Sequence, residues 1–105
     1  MLSNPEDQKL VTLAQATLKR SGAKQAAALR DNTGRTYVAV PVNSPSLALD
    51  AIEAVFAVAM ASQISGIEAA VFTGERSAKT AVITEFAPSA AIFFANDGAE
   101  PDKIA

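Results

Sequence analysis

The stretch SPSLALDAIEAVFAVAM, residues 44–60, reads as one long apolar helix carrying two charged side chains, Asp50 and Glu53. Leu49, Ile52, Phe56 and Met60 recur along one stripe at helical spacing. Leu47, Ala51, Ala54, Val58 and Ala61 cover the other face. A helix apolar on both sides is either buried between layers or shared between subunits. The predicted helix begins near Ser44-Pro45-Ser46 and stops by Gly66, which places Asp50 early in it. An acid there either caps the helix and favours its positive dipole end or belongs to a site.

Outward from this helix the elements alternate. Upstream, Asn4-Pro5-Glu6-Asp7 is a helix start: Asn4 as cap, Pro5 at the first helical position, and two acids at the positive end. Leu10, Leu13, Ala14 and Leu18 follow at helical spacing, and Gly22 closes the helix. Residues 25–31 (QAAALRD) and 35–42 (RTYVAVPV) flank Asn32-Thr33-Gly34, the pattern of a hairpin. Pro41 suits a strand end, because it has no N–H to donate to a ladder. Tyr37 reads as a strand residue. Downstream, IEAAVFT at 67–73 is a short buried strand, and a third helix is predicted from about Ser77 to Phe86, stopped by Pro88. AAIFFA at 90–95 is a last strand, and residues 97–105 read as a loose tail. The order αββαβαβ predicts a mostly parallel sheet of about four strands, with one antiparallel hairpin at an edge.

The totals narrow the chemistry. A chain of 105 residues suits one domain with its own core, spanning 1–105. With no cysteine and no histidine, it has no thiol nucleophile, no imidazole base, no disulfide and almost no means of binding zinc. A net charge of −2 argues against nucleic-acid binding, which needs a clustered basic excess. Lys19, Arg20 and Lys24 cluster, but near a helix end they complement the dipole. No apolar run is long enough to span a bilayer, so a soluble cytoplasmic protein without a membrane partner is expected.

The element order, with the words AAAL at 26–29, SLALDAIEA at 46–54, TAVITEFAP at 80–88 and AIFFANDG, resembles the cytidine deaminase family across nearly the whole chain. The resemblance implies a three-layer α/β/α fold with a mixed sheet, lacking the family's final strand. In that family, helix two carries Cys-Ala-Glu and helix three begins Pro-Cys-x-x-Cys-Arg. The three cysteines hold zinc, and the glutamate shuttles protons as a zinc-bound hydroxide attacks the pyrimidine. Laid onto this chain, the zinc positions fall on Asp50, Arg76 and Lys79, and the proton-shuttle position on Ile52. Glu75 and Thr80 stand at the motif's proline and arginine. The family's ribose contacts land on Ala39 and Pro41, and its stacking phenylalanine lands near Ala23.

One carboxylate beside two cations does not make a zinc site, and isoleucine transfers no proton. The expectation is therefore an inactive, zinc-free member of the family with no cofactor and no catalytic or metal residue. Two readings of Asp50 stay open: an ion pair with Arg76 or Lys79 where the metal stood, or a plain helix cap. An Asp50–Glu53 magnesium site is disfavoured by the nearby cations. Gly74-Glu75-Arg76-Ser77 has the geometry for an anion but no phosphate-loop signature. The family's assembly around helix two implies a homo-oligomer, dimer or tetramer, with Leu47, Ala51, Ala54, Phe56 and Val58 as interface candidates. Three roles follow in order: an interaction or scaffold protein, partnered by itself or another subunit; a module binding a nucleoside or anion in the old pocket; and a hydrolase with metal-free chemistry.

Overall fold

The structure, a computed structural model, describes residues 4–96 and 100–105. Helix α1 (Pro5–Ser21) starts as its sequence predicts, the Asn4 side chain accepting the Glu6 N–H at 2.9 Å. It ends where the Gly22 N–H returns to the Leu18 carbonyl at 3.0 Å. Strands β1 (Gln25–Asp31) and β2 (Thr36–Ala39) form the expected hairpin, with Ala28 opposite Val38. Gly34 takes φ +91 in the turn, a value that suits glycine. Asp31 organises that turn. Its Oδ1 accepts the Thr33 N–H, the Thr33 hydroxyl and the Arg35 N–H at 2.8, 2.7 and 3.0 Å.

The remaining elements are β3 (Val42–Ser44), β4 (Leu47–Leu49), α2 (Ala51–Ala61), β5 (Ile67–Gly74), α3 (Ala81–Phe86), β6 (Ala91–Ala95) and β7 (Asp102–Lys103). The main sheet runs β2-β1-β5-β6-β7. Three sequence expectations change here. The sheet has five strands rather than four, and only β5–β6 is parallel; β1–β2, β1–β5 and β6–β7 are antiparallel. β2 and β5 do run the same way, as a strand–helix–strand unit requires, but β1 lies between them and opposes both. The tail is docked as well: β7 pairs with β6, and the Ile104 N–H donates to the Ile92 carbonyl at 2.7 Å. Residues 97–99 of that expected tail lie outside the described residues.

Side chains alternate across the sheet with a period of two. Ala28, Ala69, Val71, Phe93 and Ala95 face α1, where Leu10, Val11 and Ala14 are buried against them. Ala27, Leu29, Ala70, Phe72, Ile92 and Phe94 face the other way, against Ile52, Val55 and Ala59 of α2 and Ile83 of α3. This is the three-layer α/β/α arrangement. Alanine at so many inward positions lets both helical layers lie close to the sheet, while the tilted Phe72–Phe94 pair, 5.1 Å between centroids, fills the deeper side. Arg30, 5% exposed, carries a charge into the α1 side and is answered by Asp7 of α1 and Glu68 of β5 at 2.9 and 2.8 Å. Burial works against its charge, but the bonds to Glu68 and Asp7 outweigh it and hold its pKa above the ordinary value.

The chain before α2 is not helical, contrary to expectation. β3 and β4 make a small antiparallel hairpin closed at Pro45-Ser46, with Ser44 opposite Leu47, and the helix begins at Ala51. Asp50 and Glu53 form a capping box, each side chain bonding the other residue's backbone N–H. Such a box marks a helix start. The third helix is likewise shorter than predicted, starting at Ala81 rather than Ser77.

Candidate functional site

Two of the residues at the former metal positions, Asp50 and Lys79, meet at the start of α2, but not as an ion pair. Asp50 is the α2 cap: its Oδ1 accepts the Glu53 N–H at 2.8 Å, and Glu53 Oε1 accepts the Asp50 N–H at 3.0 Å. The second oxygen, Oδ2, accepts the backbone N–H of Lys79 at 2.6 Å. Asp50 therefore joins the α2 start to the segment before α3 through a main-chain amide, not through the ammonium of Lys79. Arg76 turns away. Its guanidinium lies 4.7 Å from the centre of the Phe94 ring and pairs with Asp102 of β7 at 2.8 Å. Among the described residues, no side-chain ion pair links Asp50 to either cation. Arg76 and Lys79 also do not share a helical face, because both precede α3.

Gln25, at the start of β1, was not singled out by sequence reasoning. It is 1% exposed, and its amide reaches three backbone groups. Its Nε2 donates to the carbonyls of Glu75 and Ser77 at 2.7 and 2.9 Å. Its Oε1 accepts the N–H of Ala51 at 2.8 Å. Together Gln25 and Asp50 engage backbone groups at 75, 77 and 79, which keeps these residues out of an α-helical ladder and explains the late start of α3. The approach of this segment to β1 is close. At Gly74, φ +95, an added Cβ would collide with the Lys24 carbonyl. The only sequence signal for Gln25 is an amide in a strand whose next residues, AAAL, are wholly apolar; such a residue needs internal partners once buried.

Above these bonds opens a cleft of about 560 Å³. Pro41, Ala48 and Leu49 form an apolar wall; Lys24, Asn43, Glu53, Glu75 and Lys79 supply polar groups. Arg76 does not line it, so the anion site considered for residues 74–77 loses its guanidinium. That site also has no helix terminus behind it, since α3 starts only at Ala81. Ser77 lines the cleft, and among the described residues its hydroxyl has no carboxylate or amine partner to activate it.

Ile52 is 0% exposed, packed in the core beneath α2, so the former proton-shuttle position no longer reaches the cleft. The interface candidates divide. Leu47 and Val58 are 51% and 44% exposed, and Phe56 is half-buried, edge-on to Phe86 at 5.9 Å. Ala51 and Ala54 are buried within the chain itself, whereas Ala57, Val58, Met60 and Ala61 are the exposed residues of α2.

The metal implied by the resemblance does not fit this donor set. Both oxygens of Asp50 are occupied by backbone N–H groups, Lys79 offers a bonded amide, and Arg76 is held by Asp102. Among the described residues no group of three His, Cys, Asp or Glu side chains is placed to hold a metal ion. Nor is any helix among them long and apolar enough to cross a membrane.

Comparison with functionally characterised protein sequences returns no match. Among solved structures, the 1.6 Å crystal structure of cytidine deaminase from Burkholderia pseudomallei superposes with a TM-score of 0.77. The alignment covers 100% of this chain and 93% of that one, at 17% sequence identity. At that identity the likeness carries the fold alone. The family model described as "Cytidine deaminase-like" matches residues 3–99. With a match over nearly its whole length and the three-layer fold to go with it, the chain belongs to the cytidine deaminase-like family.

Proposed function

We propose that this protein is a catalytically inactive, zinc-free member of its family, acting as an oligomeric interaction or scaffold protein. One observation carries the reading: the position that would hold the proton shuttle is Ile52, sealed in the core. The neighbouring former ligand position, Asp50, has both carboxylate oxygens committed to the backbone. Among the described residues no group of side chains is placed to hold a metal ion that would lower the pKa of an attacking water. The test is a zinc assay on the purified protein beside a cytidine deamination assay. The expected result is neither zinc nor uridine; stoichiometric zinc with turnover overturns the reading.

The outward apolar residues support the oligomer. Leu47, Val58 and Met60 are 51%, 44% and 38% exposed, and they belong to the β3–β4 hairpin and α2. A second copy of this chain is the proposed cover, since burying large exposed apolar side chains between subunits is favourable. Light scattering at micromolar concentration is expected to report a dimer or tetramer that Val58→Asp dissociates. A monomeric wild-type protein contradicts the assembly.

The cleft supports a second reading, a module that binds a nucleoside or small anion. Its apolar wall beside Lys24, Asn43 and Lys79 is the usual make-up of a ligand pocket. A thermal-shift screen against nucleosides, nucleotides and metals separates the two, because a bound ligand raises the melting temperature by mass action. A flat screen favours the scaffold. A hydrolase without a metal ranks last, for want of an activated nucleophile.

A further inference from the structure

We propose that Gln25 and Asp50 form a hydrogen-bond staple that holds together the segments where the family's metal would sit. The proposal rests on the zinc-free reading above and says how the fold keeps its shape under it. The zinc positions fall on the α2 start and on the segment before α3, and the same two segments are joined here by four bonds. Gln25 contributes three, to Glu75, Ser77 and Ala51. Asp50 contributes the fourth, to Lys79.

The partners are all backbone groups that regular structure leaves over. The Ala51 N–H is one of the orphan donors at a helix start, and the Glu75 and Ser77 carbonyls belong to an irregular stretch. Buried, such groups need partners. Gln25 suits the role because an amide both donates and accepts: two donors go to one segment and the acceptor to another. A cation, an acid or an apolar residue at position 25 leaves one side unmet. β1, an inner strand of the sheet buried along its length, gives the amide a rigid base.

The staple also takes up two of the donors at the α2 terminus. The Ala51 and Glu53 N–H groups are taken by Gln25 and Asp50. Anything entering the cleft meets the side chains of Lys24, Asn43, Glu75 and Lys79, with these two amides already engaged.

Amide hydrogen exchange tests this on the intact chain. Gln25→Met, similar in size but without donors, is expected to lower the melting temperature by roughly 10 °C. It is also expected to speed exchange at Ala51 about tenfold beyond the change at Ala14 of α1. Asp50→Ala, at a half-buried position and so the safer variant to fold, is expected to speed exchange at the Lys79 amide, along with the Glu53 amide it caps, beyond any change at Ala14. Unchanged Lys79 exchange in Asp50→Ala, or unchanged Ala51 exchange in a folded Gln25→Met, overturns the staple. Chelator treatment and a zinc assay on the wild type report separately. Stoichiometric zinc defeats the zinc-free reading, whereas zinc-free protein with unaltered exchange in either variant defeats the staple alone.

Discussion

Asp50 grips Lys79 by its main chain, Oδ2 to N–H at 2.6 Å, so the charge on Lys79 is irrelevant to the bond. Lys79→Ala is expected to change stability by less than about 0.5 kcal/mol. Asp50→Ala removes a cap and a cross-segment bond and is expected to cost about 2 kcal/mol. Urea unfolding of both, with the double variant, is expected to show no coupling. A coupling of about 1 kcal/mol, ordinary for side chains in contact, would mean the ammonium takes part after all.

Restoring the acid at the proton-shuttle position is expected to harm the protein rather than revive it. Ile52 is 0% exposed among apolar neighbours, so Ile52→Glu buries a carboxyl with no partner. The expected loss is at least about 3 kcal/mol, read as a collapse of the melting transition. A variant as stable as wild type would show that α2 can turn this position toward the cleft.

Arg30 offers a different balance. Its bonds to Asp7 and Glu68 fasten the first turn of α1 across the sheet. Arg30→Leu leaves the Asp7 carboxylate, 13% exposed, without its cation. The expected cost is about 3 kcal/mol, most of it recovered in Arg30→Leu with Asp7→Leu. The comparison of the two melting curves decides whether the pair itself stabilises, or whether breaking it is what costs.

Asp31 predicts an acid response. Burial raises its pKa, but the Thr33 hydroxyl, the Thr33 and Arg35 N–H groups and the Arg35 charge outweigh that and hold it below the ordinary value. A carboxylate depressed in the folded state adds stability that is complete above its unfolded pKa. That stability is lost as the pH falls through the folded one. Urea midpoints are therefore expected to fall as pH drops below the usual carboxylate range, and less steeply in Asp31→Asn. Equal slopes would remove Asp31 from the acid transition.

The parts of this fold legible in the sequence are those set by neighbours along the chain. Asn4-Pro5, the Asn32-Thr33-Gly34 turn and the apolar runs at 67–73 and 90–95 declare themselves locally, and the structure places elements there. What escaped depends on distant partners. Leu47 and Leu49 fit a helix or a strand equally, and the capping box three residues apart decides for a hairpin before Ala51. Asp102 and Lys103 have no strand pattern; they pair because the edge of β6 is there to receive them. Gln25 shows nothing of its role until β5 and α2 bring their backbones to it. The two readings of Asp50 are indistinguishable from spacing, since a cap and an interhelical tie call for the same carboxylate.

The place of β1 between β2 and β5 has a consequence for the order of events in folding. β1 and β2 can meet early, across a turn of a few residues, but the opposite edge of β1 waits for β5. Ala28 pairs with Val71, a closure that must enclose the β3–β4 hairpin and the whole of α2. Contacts so distant along the chain are slow to form. Until β5 arrives, β1 presents an open, apolar edge. Changes in β2 should therefore slow folding at least as much as changes of equal cost in β5, which should act more on the unfolding rate, and kinetic measurements on Val38→Ala and Val71→Ala would show it.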